Sequence, residues 1–148
     1  MVINWHFSYQ SQEKETMNND VRGSIRMVYE YFRHLKNKDT TRLLNLFADD
    51  ATIHEPFSNI EAGLKGKAAI KPFLEVAMMA IDGMRHEIEF EKSRTNKNDT
   101  KNQITALMTF EKGERVRARY NFELSTESDS DLRYQGKKIQ TLHIEFIE

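Results

Sequence analysis

The sequence of 148 residues contains no cysteine. Disulfides, thiolate nucleophiles and zinc–thiolate sites are therefore excluded. Proline occurs twice, at Pro56 and Pro72, and glycine six times. No apolar stretch approaches the roughly 20 residues needed to cross a bilayer. Met1 to Gln10 carry neither a basic region nor a continuous apolar run of the kind a secretory leader has. The expectation is a cytoplasmic chain with no membrane contact. Charge of one sign is also missing. The formal net charge is −1, so no overall field recruits nucleic acid or an anionic surface. Arg115, Arg117 and Arg119 alternate on one face, but Glu87, Glu89 and Glu91 share it. That reads as paired surface charge rather than a phosphate track. The histidines, at positions 6, 34, 54, 86 and 143, lack a ligand spacing such as HExxH. There is no Gly-rich phosphate loop and no Ser-His-Asp pattern. No metal and no cofactor are expected.

What is present suits one folded domain. Apolar residues make up 39% and charged residues 30%, a globular balance. A chain this long buries roughly 68–70% of its unfolded surface, enough for one core. Residues 1–19 read as a loosely attached N-terminal arm. The alternation of Trp5, Phe7 and Tyr9 leaves open a strand or lid packed on the body. Residues 20–148 form the single domain, without repeats or linkers.

From Val21 the apolar period is helical. Val21, Ile25, Val28, Phe32 and Leu35 form one stripe, flanked by Tyr29 and Tyr31. Asp39 suits the N-cap of a second, shorter helix, whose buried face would be Leu43, Leu44, Leu46 and Phe47. Ala51 to Glu55 reads as a strand stopped by Pro56. A loop to Gly66 leads into a third helix carrying Ile70, Phe73, Leu74, Ala77, Met78 and Ile81. Pro72 belongs in its first turn or bends it. Met78 and Met79 are expected to fill the core.

After Gly83 the period is two. His86, Ile88 and Phe90 begin one strand. Ile104 to Phe110, Val116 to Leu124 and Leu142 to Phe146 supply three more even-numbered apolar sets. Turn residues separate them at Asn96 to Asp99, at Lys112-Gly113-Glu114 and along Ser125 to Gly136. Short connections favour an antiparallel meander, with the even set facing the helices. Helices first and strands after make an α+β fold.

Three segments resemble a known family. Tyr31-Phe32-Arg33-His34-Leu35-Lys36-Asn37-Lys38-Asp39 is similar to the first-helix exit of SnoaL-like and ketosteroid-isomerase-like proteins. Leu46 to Pro56 resembles their second-helix-to-strand signature, and Gly66 to Ile70 the start of their third helix. The resemblance implies the nuclear transport factor 2-like (cystatin-like) architecture: a cone-shaped, curved antiparallel sheet with three N-terminal helices enclosing a pocket. It does not fix an activity, because the family holds isomerases, hydrolases, cyclases and proteins without chemistry. In the isomerases the residue before that proline is the proton-shuttling base; here it is Glu55. Their enolate-binding tyrosine corresponds to Tyr31. The place of their protonated acid falls on Phe122, or on Asn121 in a slipped register, and neither is a carboxylic acid. Half of the expected oxyanion hole is missing.

The residues support the same site independently. Glu55 shares strand parity with Ile53, which needs the core, so Glu55 turns toward the cavity. Desolvation there would raise its pKa and suit a general base. Tyr31 is the candidate donor beside it. Tyr120 and His86 share the inward parity of their strands and, with Phe122, are candidate ligand-binding positions. His54 points to the opposite face from Glu55. Two functions follow: an isomerase- or hydratase-type enzyme moving a proton on a small apolar ligand, or a non-catalytic small-ligand-binding or dimeric scaffold protein of the same fold. The outer sheet face should pair with a second copy as a homodimer, the acidic row of one subunit against the basic row of the other.

Overall fold

The computed structural model describes residues 19–91, 102–126 and 137–147. The arm through residue 18 and the turns proposed within 92–101 and 127–136 lie outside the described residues. The helices are α1 (Asn19–Lys36), α2 (Thr40–Asn45) and α3 (Lys67–Ala80). The strands are β1 (Phe47–His54), β2 (Leu64–Lys65), β3 (Arg85–Glu91), β4 (Gln103–Lys112), β5 (Glu114–Thr126) and β6 (Lys137–Ile147).

The stripe of α1 is buried as its period requires. Ile25, Val28, Phe32 and Leu35 are all at most 7% exposed. Met27 and Tyr31 are equally buried, so the buried face is wider than the stripe. Asp39 caps α2, accepting the amide of Arg42 at 3.1 Å. α2 is shorter than its apolar pattern suggests. Leu46 is already its C-cap and Phe47 opens β1, which was expected to begin only at Ala51. Pairing with β6 decides this: Phe47 registers with Ile139, and Ile139 donates to the Leu46 carbonyl at 2.8 Å. Tertiary pairing overrides a short helix whose stability comes mostly from packing.

Of the two alternatives for Pro72 in α3, the first turn is not the one taken: it sits in the second turn, so the Ala68 carbonyl loses its helical donor. The expectation for Met79 is corrected. Met78 is buried, but Met79 is 68% exposed. One residue advances a helix by about 100°, which carries Met79 off the face formed by Ile70, Leu74 and Met78.

Residues 85–147 contain the four expected antiparallel strands. The sheet has six strands in the order β2-β1-β6-β5-β4-β3, curved and unclosed. β1 joins β6 in parallel, a pairing that strand count alone does not reveal. The even-numbered set faces the helices: Ala106, Met108, Phe110, Ala118, Tyr120, Phe122 and Ile144 are buried. A bulge after Glu123 shifts the register of β6, so Lys137 and Ile139 point inward together with Leu142 and Ile144. Phe146, expected in the core, is 50% exposed where β6 runs past it.

The outer face carries the charges in the expected rows, with β4 between them. The pairing is nevertheless within one chain. Arg119 reaches diagonally over β4 to Glu91, with Nε–Oε1 3.1 Å and Nη2–Oε2 3.2 Å. It also donates to Glu145 on β6 at 3.0 Å. Arg85 binds Glu111 at 2.9 Å.

Glycine is needed where the chain passes β1. Gly63 has φ +84°, and a Cβ there would lie 2.8 Å from Thr52 Cγ2 and 2.9 Å from His54 Nδ1. Gly113, at the β4–β5 turn, has φ +80° but open space around it. Gly63→Ala should therefore destabilise by about 2 kcal/mol or more, and Gly113→Ala by only about 1 kcal/mol. Denaturant midpoints of the two variants, compared at equal m-values, check the difference.

Candidate functional site

A cavity of about 660 Å³ lies between the end of α1, one side of α3 and the inner face of β4–β6. That volume suits a small-molecule ligand. Leu35 comes from α1, Phe73 and Ala77 from α3, and Phe110, Val116 and Ile144 from the sheet. The wall is otherwise almost wholly apolar, and its polar members are Glu55, Ser58 and Tyr120.

Glu55 follows the last residue of β1 and lines the cavity, half-buried. Ile53, two residues earlier, is fully buried. The amides of Phe57 and Ser58 both donate to Glu55 Oε1, at 2.7 and 3.3 Å. Among the described residues, Oε2 has no hydrogen-bond partner. Two amides thus hold the carboxylate at Oε1 while the residue lines the cavity. The peptide segment after Pro56 supplies those donors, so the proline that ends the strand also sets up the turn.

Tyr31 stands elsewhere. It is 1% exposed and packed edge-on against Phe32, Phe47, Tyr120 and Phe122, with centroids 4.9, 6.2, 6.2 and 5.4 Å away. It is not part of the cavity wall, so the expected placement beside Glu55 is not what the structure shows. The aromatic nest holds the ring, and desolvation followed by the neighbouring Tyr120 raises its pKa well above the usual range. Phe122 belongs to the same nest, at 1% exposure, and is likewise absent from the cavity wall.

Tyr120 does line the cavity. Burial pushes its pKa up, so the hydroxyl remains a proton donor at neutral pH. His86 is 2% exposed and meets Phe110 edge-on at 5.1 Å. Phe110, its partner across β3–β4, forms the wall in its place. His54 stacks on His143 at 5.4 Å, across β1–β6 and apart from the cavity. No three His, Asp or Glu side chains converge on one point among the described residues.

Sequence reasoning missed the mouth of the cavity. Phe57, Val76 and Phe146 line it while remaining 72%, 60% and 50% exposed. The available signal was Phe57, a large apolar side chain in an otherwise polar loop.

Residues 28–143 match the SnoaL-like domain, and the chain belongs to that family. Among curated proteins none matches. Solved structures share the fold. A protein from Novosphingobium aromaticivorans assigned as a scytalone dehydratase has TM-score 0.63 at 16% identity, covering 87% of this chain and 85% of that one. An NTF2-like protein from Anabaena variabilis has TM-score 0.59 at 15% identity, covering 90% and 94%. The epoxide hydrolase/cyclase-like enzyme SalBIII, of pyran ring formation in salinomycin, has TM-score 0.57 at 17% identity, covering 88% and 95%.

His86 gives the fold, rather than the cavity, a pH signature. Burial, with a smaller contribution from Lys36, lowers its pKa from 6.5 to about 4. Among the described residues, its buried Nε2 has no hydrogen-bond partner. The unfolded chain therefore binds a proton that the folded chain resists. Stability from this group is fully present above pH 6.5 and falls as pH drops toward 4, by up to about 3 kcal/mol. His86→Phe should flatten that part of the stability–pH curve, as read from denaturant midpoints at pH 4.5 and 7.

Proposed function

We propose that this member of the SnoaL-like family takes up a small, mostly apolar molecule and that Glu55 acts on it as general base. The observation that carries the reading is the one carboxylate among the described lining residues, held at Oε1 by two amides and, among the described residues, without a hydrogen-bond partner at Oε2. Oε2 accepts a proton from a carbon next to a carbonyl; the C–H pair becomes a C=C bond and the C=O π pair moves onto the oxygen. Return of that proton from Glu55 to another carbon would make the reaction an isomerisation; its return to a hydroxyl on the β-carbon, which leaves as water while the enolate re-forms the carbonyl, would make it a dehydration, the reverse of hydration. Tyr120, a proton donor on the wall, takes the oxygen-binding role that Tyr31 is too deeply packed to play. A low-dielectric wall strengthens both contacts. The dehydratase and cyclase-like names of similar structures agree with proton movement in such a pocket.

The second reading is a protein that binds the same ligand without chemistry. The packing of Tyr31 away from the cavity favours it, since the tyrosine that the resemblance implies then stands outside the described cavity wall. Assembly is a separate matter. The outer face offers Leu107, Thr105 and Thr109 between the charged rows, and, among the described residues, the buried Arg117 Nε has no hydrogen-bond partner. A second copy, packed on this face, would supply acceptors. The cytoplasm is its proposed location.

Two measurements test these readings. Deuterium exchange into a panel of cyclic ketones, followed by NMR, should be catalysed by the protein and slowed about 10²–10⁴-fold by Glu55→Gln. Full activity in that variant would remove Glu55 from the base role. Binding without exchange of any ketone would leave the binding reading. Light scattering at micromolar concentration should give a dimeric mass, lowered by Arg117→Glu; a monomeric wild-type chain would end the assembly reading.

A further inference from the structure

Phe57 and Phe146 come from different parts of the chain, the loop after β1 and the end of β6. Their rings meet edge-to-face, with centroids 5.3 Å apart and planes at 78°. Both line the cavity, yet both are largely exposed to solvent. A side chain can satisfy both conditions only at an opening, with one side toward the interior and the other toward water. The pair therefore spans part of the mouth, beside Val76 of α3.

One half of the pair is held by the candidate base. The Phe57 amide donates to Glu55 Oε1 at 2.7 Å, and Ser58 adds a second bond at 3.3 Å. Among the described residues, the other contact that fastens Phe57 is its ring contact with Phe146. Gly63, with its tight approach to Thr52 and His54, fixes the far end of the same loop against β1. The stretch between carries Phe57, Ser58 and Ile60, all exposed.

We propose that Glu55 is the latch of an aromatic gate, holding Phe57 against Phe146 over the cavity mouth. The gate rests on the reading of the cavity as a ligand site, and it holds whether or not the site is catalytic. A carboxylate accepts these amide bonds about twice as strongly as a neutral group does. A proton arriving on Glu55, or a ligand donor drawing on its charge, weakens the tether and loosens Phe57. In the base reading, C–H cleavage puts the proton on Oε2 and so eases exit after the chemical step. The same aromatic pair limits which ligands pass, favouring flat apolar molecules that slide between two edge-to-face rings.

Hydrogen exchange at the Phe57 and Ser58 amides tests the latch without any ligand. Glu55→Ala should speed exchange at Phe57 about 10- to 100-fold, while Glu55→Gln, which keeps an acceptor oxygen, should speed it about tenfold or less. The gate is read with the neutral apolar dye N-phenyl-1-naphthylamine in stopped flow. Phe57→Ala and Phe146→Ala, both at exposed positions, should accelerate entry and exit about tenfold, a larger change than in Kd. Combining Phe57→Ala with Glu55→Ala should add little more, because both remove the same closure. Unchanged Phe57 exchange in Glu55→Ala overturns the latch. Unchanged dye rates in Phe57→Ala, or a wild-type protein that takes up no dye, overturn the gate. A Glu55→Gln variant that keeps ketone exchange removes the base and leaves the latch standing, so the two failures are distinct.

Discussion

The arrangement depends on the aromatic nest where α1 meets the sheet. Tyr31 and Phe32 are neighbours on the helix, and Tyr120 and Phe122 share one face of β5. Their rings interlock at 4.9 to 6.4 Å, mostly edge-to-face. Such contacts have a defined geometry as well as a large buried area. They therefore fix how α1 lies on the sheet, in rotation as well as in distance. One turn later the same helix presents Leu35, and there the rings give way to the cavity. Aromatic packing thus closes one stretch of the interior and leaves the next open.

The open stretch stays open because its lining is small on several sides. Ala69, Ala77 and Ala80 of α3 face Ala118 of β5 across it. Packing interiors are ordinarily filled to crystal-like density, so a void of this size is a feature of the sequence rather than slack. Pro72 contributes from α3 too, at a position where it removes a helical hydrogen bond. Into this apolar space the chain places one carboxylate and one tyrosine hydroxyl. A buried or half-buried charge needs hydrogen bonds, and the two amides after Pro56 provide them for Glu55. The same bonds that make the charge tolerable also position Phe57 at the mouth, which is why site and gate are one structural unit.

The sheet's two faces divide the work. Inside, parity collects the apolar side chains and Tyr120. Outside, parity collects the charges, and strand register lets Arg119 join Glu91 to Glu145 across four strands, β3 to β6. Exposed pairs of this kind contribute little to stability. Their effect is on which surfaces can meet, since Arg119 is already engaged while, among the described residues, Arg117 Nε has no hydrogen-bond partner.

The sequence by itself determined the helix stripe, the cap at Asp39, the four antiparallel strands, the inward even-numbered set and the family, because each is written in local period or in short motifs. It also pointed to Glu55, through the parity of Ile53 and the motif before Pro56. It did not determine what stands next to Glu55. Tyr31 carries the family's tyrosine position, yet its neighbours Phe47, Tyr120 and Phe122 come from strands far along the chain, and their packing draws the ring into the core. The parallel β1–β6 pairing, the bulge that turns Lys137 inward and the exposure of Phe146 were likewise decided by tertiary structure. Local period specifies which way a side chain faces its own element; only the packing of elements against one another decides whether that direction leads to core, cavity or water.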